Sequence, residues 1–439
     1  MGRRTFSWIL IFYIVIRWIL AVQPGYIIDT LTYKRWALGA GREGIPSIYD
    51  TVDFDYPPLY IYILYPLGKA YLALAAETPL GTIPDSTLLT LLIKLPPFIF
   101  DILIAAVLYL LISRRRLWGP QRAGPKWGRW AALIYLFNPA VLWDSAYWGQ
   151  PDAIHSAFVL ASLFFLGGGR AAGSGVALAL GGMMKPLAAP IAPLVAVAAF
   201  ARDRWKGLLT AGLSGVAVVL VLFLPFLMTG RGSSVLNHVL FDVGLMPFTS
   251  VNGHNLWWLL GAWRDANTPF FGPLTPKIFG LGLFGLLSLL ILYRSWPVFR
   301  RAKDDATFTA ALIQSAAIIT LLFFFFSTHM HENHLFMAVP LTCALAGRSR
   351  NWAWLAGMMT FAVFLNVILH DYDPNPMRRI TYYPPFTWGG ISPFENLHQH
   401  RLFAWGELIG TYLGSLITAG LVMAMFREVW RFLGRARSD

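Results

Sequence analysis

The chain alternates long apolar runs with short basic clusters. Runs such as LIFYIVIRWILAV and GVAVVLVLFLPFL carry almost no charge, over lengths near the ~20 residues a helix needs to cross the hydrocarbon of a bilayer. The basic residues fall between them: Arg3 and Arg4, Arg114 to Arg116 with Arg122, Lys126 and Arg129, then Arg202, Arg204 and Lys206, Arg294, Arg300, Arg301 and Lys303, Arg348 and Arg350, and Arg427, Arg431, Arg435 and Arg437. Placing every cluster in the cytoplasm satisfies the positive-inside rule and puts both termini inside. The spans then fall near 7–23, 88–112, 130–146, 153–168, 172–186, 188–201, 207–228, 276–294, 307–328, 335–346, 351–369 and 405–426. The pattern predicts an all-α polytopic membrane protein of about twelve transmembrane helices.

One apolar stretch, LYIYILYPLGKAYLALAA at 59–76, is left out of that count. If it crossed, every later basic cluster would move outside. Its tyrosines and Lys69 suit a helix lying along the headgroup zone. Three outer loops, 24–87, 229–275 and 370–404, are rich in Pro, Gly, aromatic, His and Asp residues. With no internal repeat, low-complexity tract or soluble domain, residues 1–439 read as one transmembrane domain. Because Arg17 interrupts the first run and no small-residue cleavage site follows it, that run is expected to stay as a signal anchor.

Composition agrees: 56% of the 439 residues are hydrophobic and 13% charged, too apolar for a soluble core. The net charge of +13 punctuates the spans instead of gathering on one segment, so nucleic acid is not an expected partner. The single cysteine, Cys343, cannot form an intrachain disulfide.

The outer loops hold the candidate chemistry. The first opens with IIDTLTYKRWA and continues into DFDYPPLY. Asp29 follows the first span closely, where a carboxylate is costly unless it is used or paired. It can act as a general base, or cap a helix or pair with Lys34 or Arg35. Asp53 and Asp55 have a D-x-D spacing open to two readings, divalent-cation ligands or a cap ahead of Pro57 and Pro58. Otherwise no cofactor is expected.

YWGQPDAIHSAF places Trp148, Gln150, Asp152 and His155 at an outer helix end. An indole face beside amide and carboxylate groups can hold a sugar, and interfacial tryptophan before a proline turn is the alternative. STHMHENHLF packs His329, His331, Glu332 and His334 together, but Leu335 stands where H-E-x-x-H needs its second histidine, which excludes a zincin. Imidazoles beside a carboxylate can instead hold a phosphate, and buried or interfacial structural histidines are the alternative. Lys185 lies in an apolar stretch, where an amine needs a partner or an anionic ligand. His254 and Asn255 in VNGHNLWW, with Arg378, Arg379 and Arg401, add polar and cationic groups to the same face.

In this order the motifs resemble the GT-C superfamily of membrane glycosyltransferases, over nearly the whole chain. Asp29 and Trp36 ahead of DYPPLY are similar to the first loop of the asparagine-linked-glycosylation glucosyltransferases. WGQPDA resembles the WGQ-x-D element of prokaryotic members, VNGHNLWW their Asn-Leu-Trp loop, and HMHENHLF their His-Glu element. HENH departs from the His-Glu-Lys of the eukaryotic enzymes, so glucose specificity is not carried over. The resemblance also implies that the 59–76 stretch is a membrane-surface helix.

The resemblance implies an inverting hexosyltransferase, for instance a mannosyltransferase, that moves a sugar from a polyprenyl-phosphate carrier to a lipid-linked or glycan acceptor on the non-cytoplasmic face. Asp29 would be the base, with Asp55 as second candidate. His331, Glu332, His334, Lys185, Arg378 and Arg401 would hold the donor phosphate, and Trp148, Gln150, Asp152, His254 and Asn255 the sugar or acceptor. A transporter or flippase for lipid-linked sugars would share the cavity without needing a base. Residue usage leans towards a prokaryotic plasma membrane over the endoplasmic reticulum.

Overall fold

A computed structural model describes residues 2–52, 54–75, 83, 86–241, 247–371 and 401–438. It is all-helical, with no sheet among the described residues. The chain is an integral, polytopic membrane protein. Among the described residues seven stretches are long and apolar enough to cross a membrane, and three further apolar helices, Leu59–Leu74, Asp152–Gly167 and Ala171–Met184, are shorter.

The principal helices are α1 (Arg3–Ala21), α2 (Ile27–Glu43), α3 (Leu59–Leu74), α4 (Thr87–Ser113), α5 (Pro125–Leu136), α6 (Asp152–Gly167), α7 (Ala171–Met184), α8 (Ala192–Met228), α9 (Pro276–Arg301), α10 (Asp305–Phe326), α11 (Ala338–Leu345), α12 (Arg350–Asp371) and α13 (Arg401–Ser438). α10 is apolar all round and buried nearly all round, as a helix enclosed by others must be. It is the axis of the bundle. α8 is two passes in one, because Asp203 and Arg204 leave helical geometry and turn the chain back.

The basic clusters gather at one end. Arg115 and Arg202 both pair with Asp305, at 2.7 and 2.6 Å. Arg348 donates to the Leu117 carbonyl at 2.6 Å, Arg122 to that of Gly347 at 2.8 Å, and Arg294 lies 4.2 Å from the Trp430 ring centroid. The opposite ends of α1, α4, α7 and α10 carry Gln23, Lys94, Lys185 and Ser327. The acidic first loop docks there.

In that loop α3 packs on α2, and glycine decides how closely. A Cβ on Gly68 would stand 1.8 Å from the Ala37 carbonyl oxygen, and one on Gly41 2.8 Å from the Gly68 backbone. Tyr33, Trp36, Phe54 and Tyr60 fill the space around the crossing. Trp36 meets Phe54 edge-on at 4.8 Å, so this resemblance-bearing tryptophan is a core residue of the loop.

Candidate functional site

Two elbows build the site. In the first, α1 ends and the chain turns at Gly25, whose φ of +66° L side chains rarely adopt. A Cβ there would meet the carbonyl oxygens of Trp148 and Tyr147 at 2.6 and 2.7 Å. α2 then starts with Asp29 in its first turn.

The second elbow is a π-helical turn, Leu142–Trp148, that ends at Gly149 with φ +89°. The amides of Gly149 and Gln150 both reach back to the Asp144 carbonyl at 3.0 Å, the wide winding that π-turns use to redirect side chains. Lys94 of α4 fastens the elbows together, donating to the carbonyls of Gln23 at 2.7 Å and Tyr147 at 2.5 Å.

Between the elbows lies Asp29. Its Oδ2 accepts from Trp148 Nε1 at 3.1 Å and from Gln150 Nε2 at 2.5 Å. The Tyr33 hydroxyl, one turn along α2, donates to Gln150 Oε1 at 2.8 Å and orients the amide. Desolvation raises the Asp29 carboxyl to about 7, against the opposing pull of Lys185 and the Trp148 hydrogen bond, while Asp55 and Asp152 push the same way as burial.

Asp152 opens α6 and is fully buried. Lys185 Nζ lies 2.6 Å from its Oδ1 and Asn333 Nδ2 donates to its Oδ2 at 2.6 Å. The Lys185 ammonium also sits 5.6 Å from the Tyr56 ring centroid. His155, one turn into α6, is 3.6 Å from the same carboxylate.

The His331 and His334 rings meet at 4.9 Å, tilted by 53°, and the His331 amide donates to His334 Nδ1 at 3.2 Å. Burial lowers His331 to about 4 and His334 well below its ordinary value, and Lys185 acts on both in the same direction. They are neutral at pH 7. Glu332 is buried, and Asp55 is exposed within electrostatic reach of Asp29.

The structure thus brings Asp29, Asp55, Trp148, Gln150, Asp152, Lys185, His331 and His334 into one cluster. His254 and Asn255 stand apart from it. Asn255 caps the helix Leu256–Gly261 and donates to the carbonyls of Phe324 and Ser327, both at 3.2 Å, while the His254 amide donates to Asn366 Oδ1 at 2.8 Å. That loop ties α10 to α12. Asp53, Arg378 and Arg379 lie outside the described residues, and only the backbone of Arg401 is described. Among the described residues no group of three or more His, Cys, Asp or Glu could hold a metal ion.

Sequence reasoning passed over Tyr33, Tyr60, Lys94 and Asn333. Tyr33 stands at i+4 from Asp29 and shares its helix face. Lys94, in LLTLLIKLPP, meets the rule already applied to Lys185, that an amine in an apolar run needs a stated partner.

A family model described as "PIG-U: GPI transamidase subunit PIG-U" matches residues 41–271, more than half of the chain. The chain belongs to the PIG-U family. No curated protein matches it. The matched segment includes Trp148, Gln150, Asp152 and Lys185.

The match overturns the functional expectation. A subunit of the GPI transamidase is neither a polyprenyl-phosphate-dependent glycosyltransferase nor a transporter or flippase of lipid-linked sugars. The expected sugar donor and acceptor go with that assignment, and so does the mannosyltransferase class. Two features of the electrostatics bear on the expected phosphate-holding residues. Lys185 is already paired with Asp152, and burial keeps the imidazoles uncharged. The motifs do meet at one end of the bundle, but proximity does not specify a reaction.

Proposed function

We propose that this chain is a membrane-embedded subunit of a transamidase complex that attaches a GPI lipid to protein, and that its cleft receives the lipid headgroup. The observation that carries this reading is the PIG-U match across residues 41–271, which includes the π-turn and the Asp152–Lys185 pair at the end of the bundle opposite the basic clusters. A substrate-holding subunit needs polar groups of fixed geometry beside a lipid-accessible surface. The two elbows supply the groups, and the last turn of α1, with Trp18 and Ile19 exposed, supplies such a surface next to them.

In this role the chain works in the endoplasmic reticulum, which replaces the prokaryotic plasma membrane of the residue-usage argument. Positive-inside orientation turns the cleft to the lumen. Purification of the tagged full chain from its own membranes in mild detergent tests the reading. Transamidase subunits are expected to co-purify, and deletion is expected to leave GPI attachment signals uncleaved on precursor proteins. A chain that purifies alone, from cells whose deletion strain attaches anchors normally, would overturn it.

A further inference from the structure

The basic end of the bundle carries cations of two kinds. Arg115, Arg202 and Arg348 are half-buried and tie the turns of the scaffold together through Asp305 and the Leu117 carbonyl. Arg204, Lys206, Arg300 and Arg301 are exposed. They stand where α8 reverses and where α9 ends, and a group of aromatic rings joins those two turns.

Phe200, at the close of the first pass of α8, meets Trp205 edge-on at 5.0 Å and stacks on Trp296 of α9 at 6.0 Å, with 20° between the ring planes. The Arg300 guanidinium lies 5.9 Å from the Trp296 ring centroid. Trp205 stands between two cations in the chain and is 65% exposed. Carboxylates of the same turns are largely committed elsewhere. Asp305 is shared by Arg115 and Arg202, and Asp304 caps α10 by accepting from the Thr307 amide at 2.7 Å. Asp203 remains as the exposed acid of the α8 turn, so the platform keeps a positive excess. From it both helices continue into apolar faces, with Leu209 and Leu213 exposed on the second pass of α8 and Leu289 and Tyr293 exposed on α9.

We propose that this platform binds the headgroup of an anionic phospholipid of the cytoplasmic leaflet, with Arg204, Lys206 and Arg300 on its anionic oxygens and Trp205 and Trp296 at the level of its glycerol. Guanidinium offers paired donors to phosphate oxygens and the lysine a compact charge. Indole rings favour the membrane interface, and basic clusters there attract anionic lipid. A soluble anion would use the cations alone, whereas a lipid uses the cations, the rings and the apolar faces together. A zwitterionic lipid has the same phosphate but brings its own cation, which the positive excess repels. The platform lies at the end of the bundle opposite the elbows, so it does not rest on the function proposed above.

The test places the full chain in nanodiscs of equal parts phosphatidylcholine and phosphatidylserine with matched acyl chains, and identifies the lipids it retains by native mass spectrometry. Phosphatidylserine is expected to be enriched about fivefold or more among them, the size of effect that one cation at the membrane surface supplies. The double variant Arg204→Ala, Lys206→Ala should bring the ratio close to parity with the melting temperature retained. On the other helix, Arg300→Ala should lower it severalfold, and Trp205→Ala should lower it more than Trp205→Phe. As a control, Lys126→Ala with Arg350→Ala removes two exposed cations from α5 and α12 at the same end and should leave the enrichment unchanged. Parity in the parent chain, undiminished enrichment in both the double variant and Arg300→Ala, or an equal fall in the control pair would overturn the proposal. Loss of the enrichment when inorganic phosphate replaces chloride in the buffer would mark a site for free anions and would overturn the lipid assignment as well.

Discussion

Asp101 and Asp29 are held by similar donors in different places, and the contrast separates scaffold from site. Asp101, inside α4, is filled on both oxygens: Arg17 at 2.5 Å and Ser145 at 2.6 Å on Oδ2, and Tyr135 at 2.6 Å on Oδ1. It is fully buried in the span, where a carboxylate persists only when paired. Asp29, at the end of the bundle, is filled on one oxygen and partly open. Closure makes the first carboxylate structural. Incompleteness makes the second available to a ligand.

The sharpest way to break this contrast is at Asp101. Asp101→Ala leaves the Arg17 guanidinium buried without its counter-charge and should cost on the order of 3–5 kcal/mol, read as a large fall in the detergent melting temperature. The double variant Arg17→Met, Asp101→Leu should recover most of that loss. A melt of Asp101→Ala indistinguishable from the parent would mean the network is not structural.

Next in size is the hinge that aims Trp148 and Gln150 at Asp29. Gly149→Ala puts a Cβ at φ +89°, 2.8 Å from the Lys94 side chain, which should cost about 1–3 kcal/mol. Because it moves the donors on Oδ2, ligand binding should fall with stability. Loss of stability with ligand binding intact would show that the elbow does not position the site.

The smallest effect is a pH dependence. Asp29 rises from an ordinary 3.8 to about 7 on folding, so between those values the folded state holds a proton that the unfolded state has released. Stability from this group therefore declines as pH climbs from about 4 to about 7, and the penalty is complete above that. Its size is on the order of 2 kcal/mol once partial exposure is allowed for. His331 and His334 contribute the opposite slope on the acid side, since their lowered values favour the neutral folded form as pH rises. The difference between the parent and Asp29→Asn cancels the histidines. Parallel melting curves for the two from pH 5 to 8 would remove the buried-carboxyl account.

Much of the architecture was legible because lipid imposes a coarse code. Arg115, Arg202, Arg294 and Arg348 sit between apolar runs in the sequence and meet at one end of the bundle in space. Reading Asp29, Trp148, Gln150, Asp152, Lys185 and the HENH histidines as one outer cluster drew on the same alternation of ends. The cluster's chemistry was less legible, because the apolar run around Lys185 calls for a partner without naming Asp152. The charge state of the histidines likewise shows only once their burial is known. Tyr60 gave no signal at all, since its buried hydroxyl, without a hydrogen-bond partner, is a property of the packing around it.

The sequence by itself determined the membrane class, the helical spans and the polar segments that share an end, because a hydrocarbon solvent tolerates few patterns of apolar length and charge. Tertiary structure alone decided which charges are spent on each other. Whether Lys185 serves a ligand or Asp152, and whether a carboxylate is closed like Asp101 or open like Asp29, depends on ångström separations between helices distant in sequence. No local pattern encodes those separations.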